Sequence, residues 1–423
     1  MMAAERPTVI LVGTLDTKGP EHAFVRDRLV EAGVAVIVID VGVLGDPPFT
    51  PDIGADAVAR AAGTELAALR FAREGSDTRA VAIAAMERGA IAVVRELRDQ
   101  GRCDGVMGLG GSGGSTIVSG VLRSLPIGVP KLLVSTLASG NVGKFVGTSD
   151  ICLMYSVTDV AGLNRVSRRV LGNAANAMAG MVRGAAADDD KDSPLVAITM
   201  FGVTTPGVLR IGAALEAAGF EVIVFHATGS GGRAMEEMIE AGLVDGVIDL
   251  TTTELADELC GGVMSAGPDR LTAAGRRGIP QVVVPGALEV ITFGPRDTVP
   301  AAYARPERRS VTHNPSVTTV RTNTEESGRL GEILARKVNA ATGPTAVLLP
   351  LGGLSSYEAP GGPYVDPAAD AALFASIRAI LREDIPCREV DANVNDPAFT
   401  HATVEAFLSL WVSRRPLPAS STR

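Results

Sequence analysis

Residues 108–115 read GLGGSGGS, overlapping the end of the apolar run GVMGL (105–109) and directly preceding residues with helical spacing. A turn made almost wholly of glycine and serine keeps side chains away from its own backbone. Its N–H groups can then converge on an anion, and the dipole of the following helix adds to the attraction. The chemistry expected of Gly110, Gly111, Ser112, Gly113, Gly114 and Ser115 is therefore the holding of a phosphorylated ligand. A second turn of similar make-up, HATGSGG, runs over residues 226–232. It is a candidate substrate seat through Thr228, Gly229, Gly231 and Gly232.

Other polar groups are spaced to serve such a ligand. In GTLDTKG, residues 13–19, Asp16 could position a ribose hydroxyl or, through water, a magnesium ion. Lys18 could meet a phosphate as a point charge, and Thr17 or Asp16 could instead cap the next helix. Arg79 falls in the first turn of a helix, where a cation opposes the helix dipole. It needs a phosphate or an acidic partner such as Glu74 or Asp77. The polar stretch 135–150 offers Ser139, Gly140, Asn141 and Asp150. Further along, Thr204 and Thr205 follow a strand as substrate contacts. His226, Glu289 and His313 are candidates for general acid or base, with Glu254 a further carboxylate. No HExxH or paired CxxC occurs in the chain. Zinc templates therefore have no support, and no metal ligands are assigned. The glycine spacing also departs from the dinucleotide fingerprint of dehydrogenases.

The elements that must position these residues appear twice. TVILVG, the loop TLDTKG, a helix over 21–33 and a strand over 34–42 open the first half. LVAITMFG, the loop VTTPG, a helix over 208–219 and a strand over 220–229 open the second. Continuous apolar strands alternating with helices predict parallel sheets covered on both faces. The fold class expected is α/β, two Rossmann-like doubly wound domains with mainly parallel sheets. The N-terminal domain spans 1–187 and the C-terminal domain 193–423, joined by the small, charged linker GAAADDDKDSP. Ligands on such sheets bind beyond the carboxyl ends of the strands. A Gly/Pro loop over 352–367 is long enough to need a role. A helix capped by Asp366 or a neighbour follows it, and a closing helix runs from 397 to 414. The tail 413–423 has the composition of a disordered segment.

Composition narrows the class. The chain has 423 residues and a net charge of −9, which argues against nucleic-acid binding. No apolar run reaches membrane-spanning length. The four cysteines are widely separated, which suits a reducing cytoplasm.

Taken together, GTLDTKG, GLGGSGGS, STLASGN with GTSD, MFGVTTP, FHATGSGGRAMEEM, TTTE, HNP and LPLGG…PGGPYVDPAADAALF resemble the ATP-binding family named after the tomato mosaic virus resistance protein. The likeness runs in order over nearly the whole chain. It implies two Rossmann-like subdomains, an ATP site and a tendency to form a homodimer, and magnesium is expected with the ATP. It implies ATP contacts at Asp16, Arg79, Gly111, Ser112, Gly113 and Gly114. The plant protein carries a further TIM-barrel, phosphoenolpyruvate-hydrolase-like module, expected here as a separate partner. Two functions are then in view. One is an ATP-dependent enzyme acting on an unidentified small metabolite at an inter-domain cleft. The other is a nucleotide-gated regulatory protein that recognises a partner protein without consuming ATP.

Overall fold

The computed structural model describes residues 6–71, 76–184 and 193–414. The expected linker, apart from its ends, lies outside the described residues, as do Glu74 and nearly all of the tail. Two compact units emerge, Met1–Asp190 and Lys191–Arg423. No described helix is long and apolar enough to cross a membrane.

Unit 1 has five parallel strands, β1 (Thr8–Gly13), β2 (Ala35–Asp40), β3 (Gly105–Gly110), β4 (Lys131–Ser135) and β5 (Cys152–Tyr155), in the order β2-β1-β3-β4-β5. The helices are α1 (Leu15–Glu31), α2 (Ala55–Ala61), α3 (Leu66–Phe71), α4 (Ser76–Asp99), α5 (Ser112–Arg123), α6 (Gly143–Val146) and α7 (Arg165–Arg183). Both faces of the sheet are covered, which is why its strands read as unbroken apolar runs. Along β1, Ile10 and Val12 join a core with Val58, Met86 and Ile117. Val9 and Leu11 turn to the opposite core with Val25, Leu29 and Ala175. All four β1 side chains are fully buried, each contributing about 1.5–3 kcal/mol relative to exposure.

The segment expected as a loop before α1 is shorter than its sequence suggests. The helix starts at Leu15 and is kinked at Lys18 (φ −134°, ψ 28°). Asp40, at the end of β2, accepts the Leu15 N–H at 3.0 Å and the Gly42 N–H at 2.9 Å. An acid from the next strand thus satisfies the helix start, so neither Asp16 nor Thr17 is its cap.

Unit 2 repeats the plan. Its parallel strands are β6 (Leu195–Met200), β7 (Glu221–His226), β8 (Gly246–Thr251), β9 (Gln281–Gly286), β13 (Thr345–Pro350) and β14 (Cys387–Val390), in the order β14-β13-β9-β8-β6-β7. Taken in chain order, the first five strands of unit 2 are arranged as the five of unit 1 are. Around them lie α8 (Thr205–Ala217), α9 (Ser230–Glu240), α10 (Glu254–Cys260), α11 (Ala273–Arg277), α12 (Thr324–Asn339), α13 (Pro367–Ile380) and α14 (Pro397–Ser413). Asp366 caps α13 by accepting from Ala369 N–H at 3.2 Å. The closing helix α14 belongs to unit 2, where Trp411 meets Phe220 edge-on at 5.0 Å between ring centres. An antiparallel sheet of β10 (Val290–Phe293), β11 (Ser310–Asn314) and β12 (Val317–Arg321) is inserted between β9 and β13. It was not expected, because its short strands lie amid polar, proline-rich sequence.

Gly108 shows how closely α5 approaches the sheet of unit 1. A Cβ built there falls 2.6 Å from both the Val12 carbonyl oxygen and a Val118 methyl. Gly108→Ala is expected to destabilise unit 1 by about 1–3 kcal/mol, the usual cost of overpacking. Urea unfolding measures it. An unchanged midpoint would mean that α5 can move off the strand freely.

Candidate functional site

A cavity of about 520 Å³ opens at the carboxyl ends of β1, β2 and β3. This is where the strand order of unit 1 reverses, the usual ligand crevice of doubly wound sheets. One wall is the start of α5. Gly111 is its N-cap, with extended backbone (φ −83°, ψ −156°) and no side-chain cap. The first amides of any helix lack partners within it. Here those of Ser112, Gly113 and Gly114 belong to residues that line the cavity. Arg79, exposed on α4, reaches the same spot. Its Nη2 lies 3.6 Å from a Cβ built at Gly113, and no carboxylate among the described residues pairs with it. Uncapped amides, a helix dipole and a guanidinium make this end anion-seeking.

Much of the remaining wall is apolar: Val41 and Val43 after β2, Leu69 on α3, and Ala82, Ile83 and Met86 on α4. These were not recognised as site residues from sequence. Each sits in an ordinary helical or strand pattern, and only the fold reveals that they face an opening. Arg70, also on the wall, is held by Asp46 at 3.0 Å.

The structure separates the other expected nucleotide contacts. Asp16 and Thr17 line the cavity. The Asp16 carboxylate is anchored, accepting the Leu44 N–H at 2.7 Å and lying so close to Gly42 that a Cβ there would be 2.5 Å from its Cγ. Thr17 bonds the Thr14 hydroxyl at 3.0 Å. Lys18 borders the cavity, but its ammonium donates to the Val160 carbonyl, so it is not free for a phosphate. Ser115 is buried, its hydroxyl 2.7 Å from that of Ser135 and 3.2 Å from the Gly110 carbonyl oxygen. Gly110 and Ser115 therefore shape the turn from behind. Ser139 and Gly140 lie in the turn after β4 and do not line the cavity. Asp150 sits at the opposite, amino edge of the sheet. There it binds the buried Lys131 and accepts the Gly128 N–H at 2.8 Å. Burial pushes its carboxyl up, but Lys131 and that amide outweigh burial and hold it below the usual range. As a ligand contact at the carboxyl edge, Asp150 is a correction.

In unit 2 the second glycine turn has an occupant of its own. One oxygen of Glu254 accepts the Gly229 N–H at 2.7 Å and the Gly232 N–H at 3.1 Å. Its other oxygen meets Arg270 Nε at 2.5 Å. Arg270 is 1 % exposed and is gripped by both oxygens of Asp249 and by Glu236. The carboxylate stands where a phosphate would. Gly229 and Gly232 spend their amides on it. Gly231 abuts the His226 carbonyl oxygen, 1.9 Å from a built Cβ. These three are structural, not substrate, glycines. Thr204 is buried against the Thr251 hydroxyl at 2.8 Å, while Thr205 and Thr228 hydroxyls bond the Phe201 and His226 carbonyls at 3.2 and 3.3 Å.

The three acid–base candidates surround one small apolar cluster of Val203, Ala287, Val290 and Tyr364. His226 is exposed with its ring 5.8 Å from Phe201, and His313 is exposed with Nδ1 3.4 Å from the Tyr357 hydroxyl. Phe201 and Tyr357 pack on that cluster. Glu289 lies beside Ala287 in sequence, 1 % exposed. Burial pushes its carboxyl up to about 7, against the pull of Ser355 and Arg321. No group of three or more metal-ligating side chains occurs among the described residues.

The two turns predict opposite mutational profiles. Glu254→Ala should destabilise unit 2 by about 3–5 kcal/mol, because it strands a buried arginine. Arg79→Ala should cost under about 0.5 kcal/mol, since an exposed side chain is lost. Denaturant titration of both variants checks the pair. Equal losses would contradict the contrast between a filled and an open turn.

Residues 7–187 and 193–411 match the N-terminal and C-terminal domains of the Uncharacterised protein family (UPF0261). A UPF0261 protein of Clostridium tetani is 43% identical over 403 residues, covering 95% of this chain and 98% of its own. One from Rhizobium meliloti is 42% identical, covering 94% and 98%. The ToMV resistance protein Tm-1(GCR237) of Solanum lycopersicum is 37% identical over 96% of this chain, which spans 56% of the tomato protein. The two domain matches and these near-full-length relatives lead to one conclusion: this chain belongs to the UPF0261 family.

Proposed function

We propose that unit 1 binds ATP, with its phosphates on the first amides of α5 beside Arg79 and its adenosine along the apolar wall of α3, α4 and the exit of β2. The observation that carries this reading is the open helix start in a largely apolar cavity. The cavity's size lies within the range of small-molecule sites. Magnesium would enter on the phosphates rather than on a protein cage. The resemblance to the tomato resistance protein family adds the identity of the nucleotide.

The nucleotide acts here as a bound effector. Among the described residues the only carboxylate on the cavity wall is Asp16, one oxygen of which is tied to Leu44 while the other is buried without a partner, and no histidine lines the cavity. The wall therefore offers little for moving protons. ATP would order the glycine turn and bias a partner-binding or homodimeric state. An ATP-dependent enzyme acting on a small metabolite is the competing reading. It would draw acid–base groups from outside this cavity, with His226, Glu289 and His313 as its candidates.

Isothermal titration with ATP and magnesium tests the site. Arg79→Ala should weaken binding by about tenfold or more, as expected for loss of a charge-assisted phosphate contact. Gly113→Val should do the same with little loss of stability, since a Cβ there finds only ordinary contacts at 3.5 and 3.6 Å but fills the anion seat. No binding by the wild type overturns the reading. Phosphate release and sedimentation on the same samples separate the two roles. Release that depends on an added metabolite indicates the enzyme. A nucleotide-dependent change in oligomeric state without release indicates the effector.

A further inference from the structure

The loop between β13 and α13, residues 351–366, is held from inside by the guanidinium of Arg321, while the exposed Arg309 donates to the Val365 carbonyl at its far end. Arg321, the last residue of β12, is 3 % exposed. It donates to Glu358 at 2.7 Å, to the Tyr364 carbonyl at 3.2 Å and to Asp370. Its other N–H groups reach the Thr322 carbonyl at 2.8 Å and the Ser327 hydroxyl at 3.2 Å. This cation therefore serves Glu358 in the loop and Asp370 on α13, and the charge of Glu289, in the turn between β9 and β10, acts on it as well. Ser355 lies near enough to pull the Glu289 carboxyl down, yet no donor among the described residues reaches either of its oxygens in hydrogen-bond geometry. Were all three carboxyls ionised, the buried set would carry two more negative charges than positive ones.

Such an imbalance is relieved by keeping protons on the acids. Burial, reinforced by Glu289 and Asp370, pushes Glu358 up to about 9. Glu289 stands at about 7, and burial raises Asp370 as well. The other charged or titratable groups around the set and its loop are Asp366 at the start of α13, the phenols of Tyr357 and Tyr364, Arg308, Arg309 and His313. Arg308 donates to the Arg321 carbonyl and is paired with Glu326, Arg309 donates to the Val365 carbonyl, and His313 meets the Tyr357 hydroxyl, so among the described residues none of the three is bonded to Glu289, Glu358 or Asp370. Glu358 also accepts the Leu354 N–H at 2.8 Å, so the acid that Arg321 holds in turn holds the loop. Beneath the loop lie Val203, Ala287 and Val290, at the carboxyl ends of β6 and β9, the edge where doubly wound sheets take ligands.

We propose that residues 351–366 form a proton-gated cover over the carboxyl edge of unit 2: the three carboxyls around Arg321 keep it closed while Glu289 holds its proton, and losing that proton releases it. The closed form binds this proton more tightly than a solvated carboxyl does. Its advantage is full below the ordinary carboxyl range and is lost as the pH rises through about 7. Ionised Glu289 then competes for Arg321. The loop, which contains Gly352, Gly353, Gly361 and Gly362, is the part able to yield and carry Glu358 into water.

Hydrogen–deuterium exchange of the full chain from pH 5 to pH 9, corrected for the intrinsic pH dependence of exchange, tests this. In the wild type, protection within 351–366 should fall by up to about tenfold per pH unit between about pH 5 and about pH 7 and level off above it, while β8 and β9 keep theirs. Glu289→Gln, neutral at every pH, should hold the loop protected through pH 8. Glu289→Met is the alternative variant should the amide fail to fold. A flat wild-type profile overturns the proposal whatever the variants do. So does an equal loss of protection in a variant that folds.

Discussion

The first amides of a helix have no partner within it, and whatever accepts from them decides what the surrounding structure is for. This protein meets that constraint twice, after the third parallel strand of unit 1 and after the second parallel strand of unit 2. In unit 2 the acceptor is Glu254, which bridges Gly229 and Gly232. An acid buried there needs a cation, and Arg270 supplies it. An arginine buried there needs further acids, which are Asp249 and Glu236. The glycine turn thereby commits four charged side chains from three further elements to one closed network. In unit 1 no side chain caps α5, no such network forms, and the same physical demand is left for a ligand.

A buried arginine organises the other half of unit 2 as well. Arg321 joins β12, the start of α12, the long loop and the start of α13. The loop was singled out as too long to lack a role, and its residues are ordered because that guanidinium and a set of backbone bonds hold them. Buried ion pairs of this kind are poor sources of net stability but strong enforcers of geometry once formed, because breaking one partner strands the other. Where acids outnumber the cation, protons complete the balance. The geometry of the loop is then tied to pH in a way that the evenly packed sheet beneath it is not.

Much of the fold was legible in the sequence because it depends on local, repeated signals. Apolar runs marked the strands of both units, glycines marked helix ends, and Asp366 announced α13. The site was legible in part. The glycine turn of unit 1 and Arg79 could be read because glycine density and a cation at a helix start are both unusual. The apolar wall could not, because Ile83 and Met86 look like any inward helix positions until the opening beside them is known. Nor could Glu254 be distinguished from a free carboxylate. It lies over twenty residues from the amides it binds, and nothing local to TTTEL indicates that partnership. Lys18 and Asp150 misled for the same reason. Their partners, Val160 and Lys131, are set by tertiary packing, which a loop's polarity does not report.

The two units also illustrate how one plan can part into two roles. Their strand orders agree, so the crevice where the order reverses exists in both. In unit 1 that crevice is flanked by small residues and by Asp16 lying flat on Gly42, which leaves room. In unit 2 the corresponding strand ends carry Thr199, Thr204 and Thr251, whose hydroxyls satisfy one another and the nearby backbone. Buried hydroxyls paired in this way close a crevice at little cost, because each polar atom finds a partner without water. Once that crevice is closed, the buried acids of unit 2 that keep an oxygen without a partner among the described residues are Glu289, displaced toward β9 and β13, and Asp257 on α10. Chemistry in this unit, if it depends on an unsatisfied buried acid, has to be sought there and not at the position that serves unit 1.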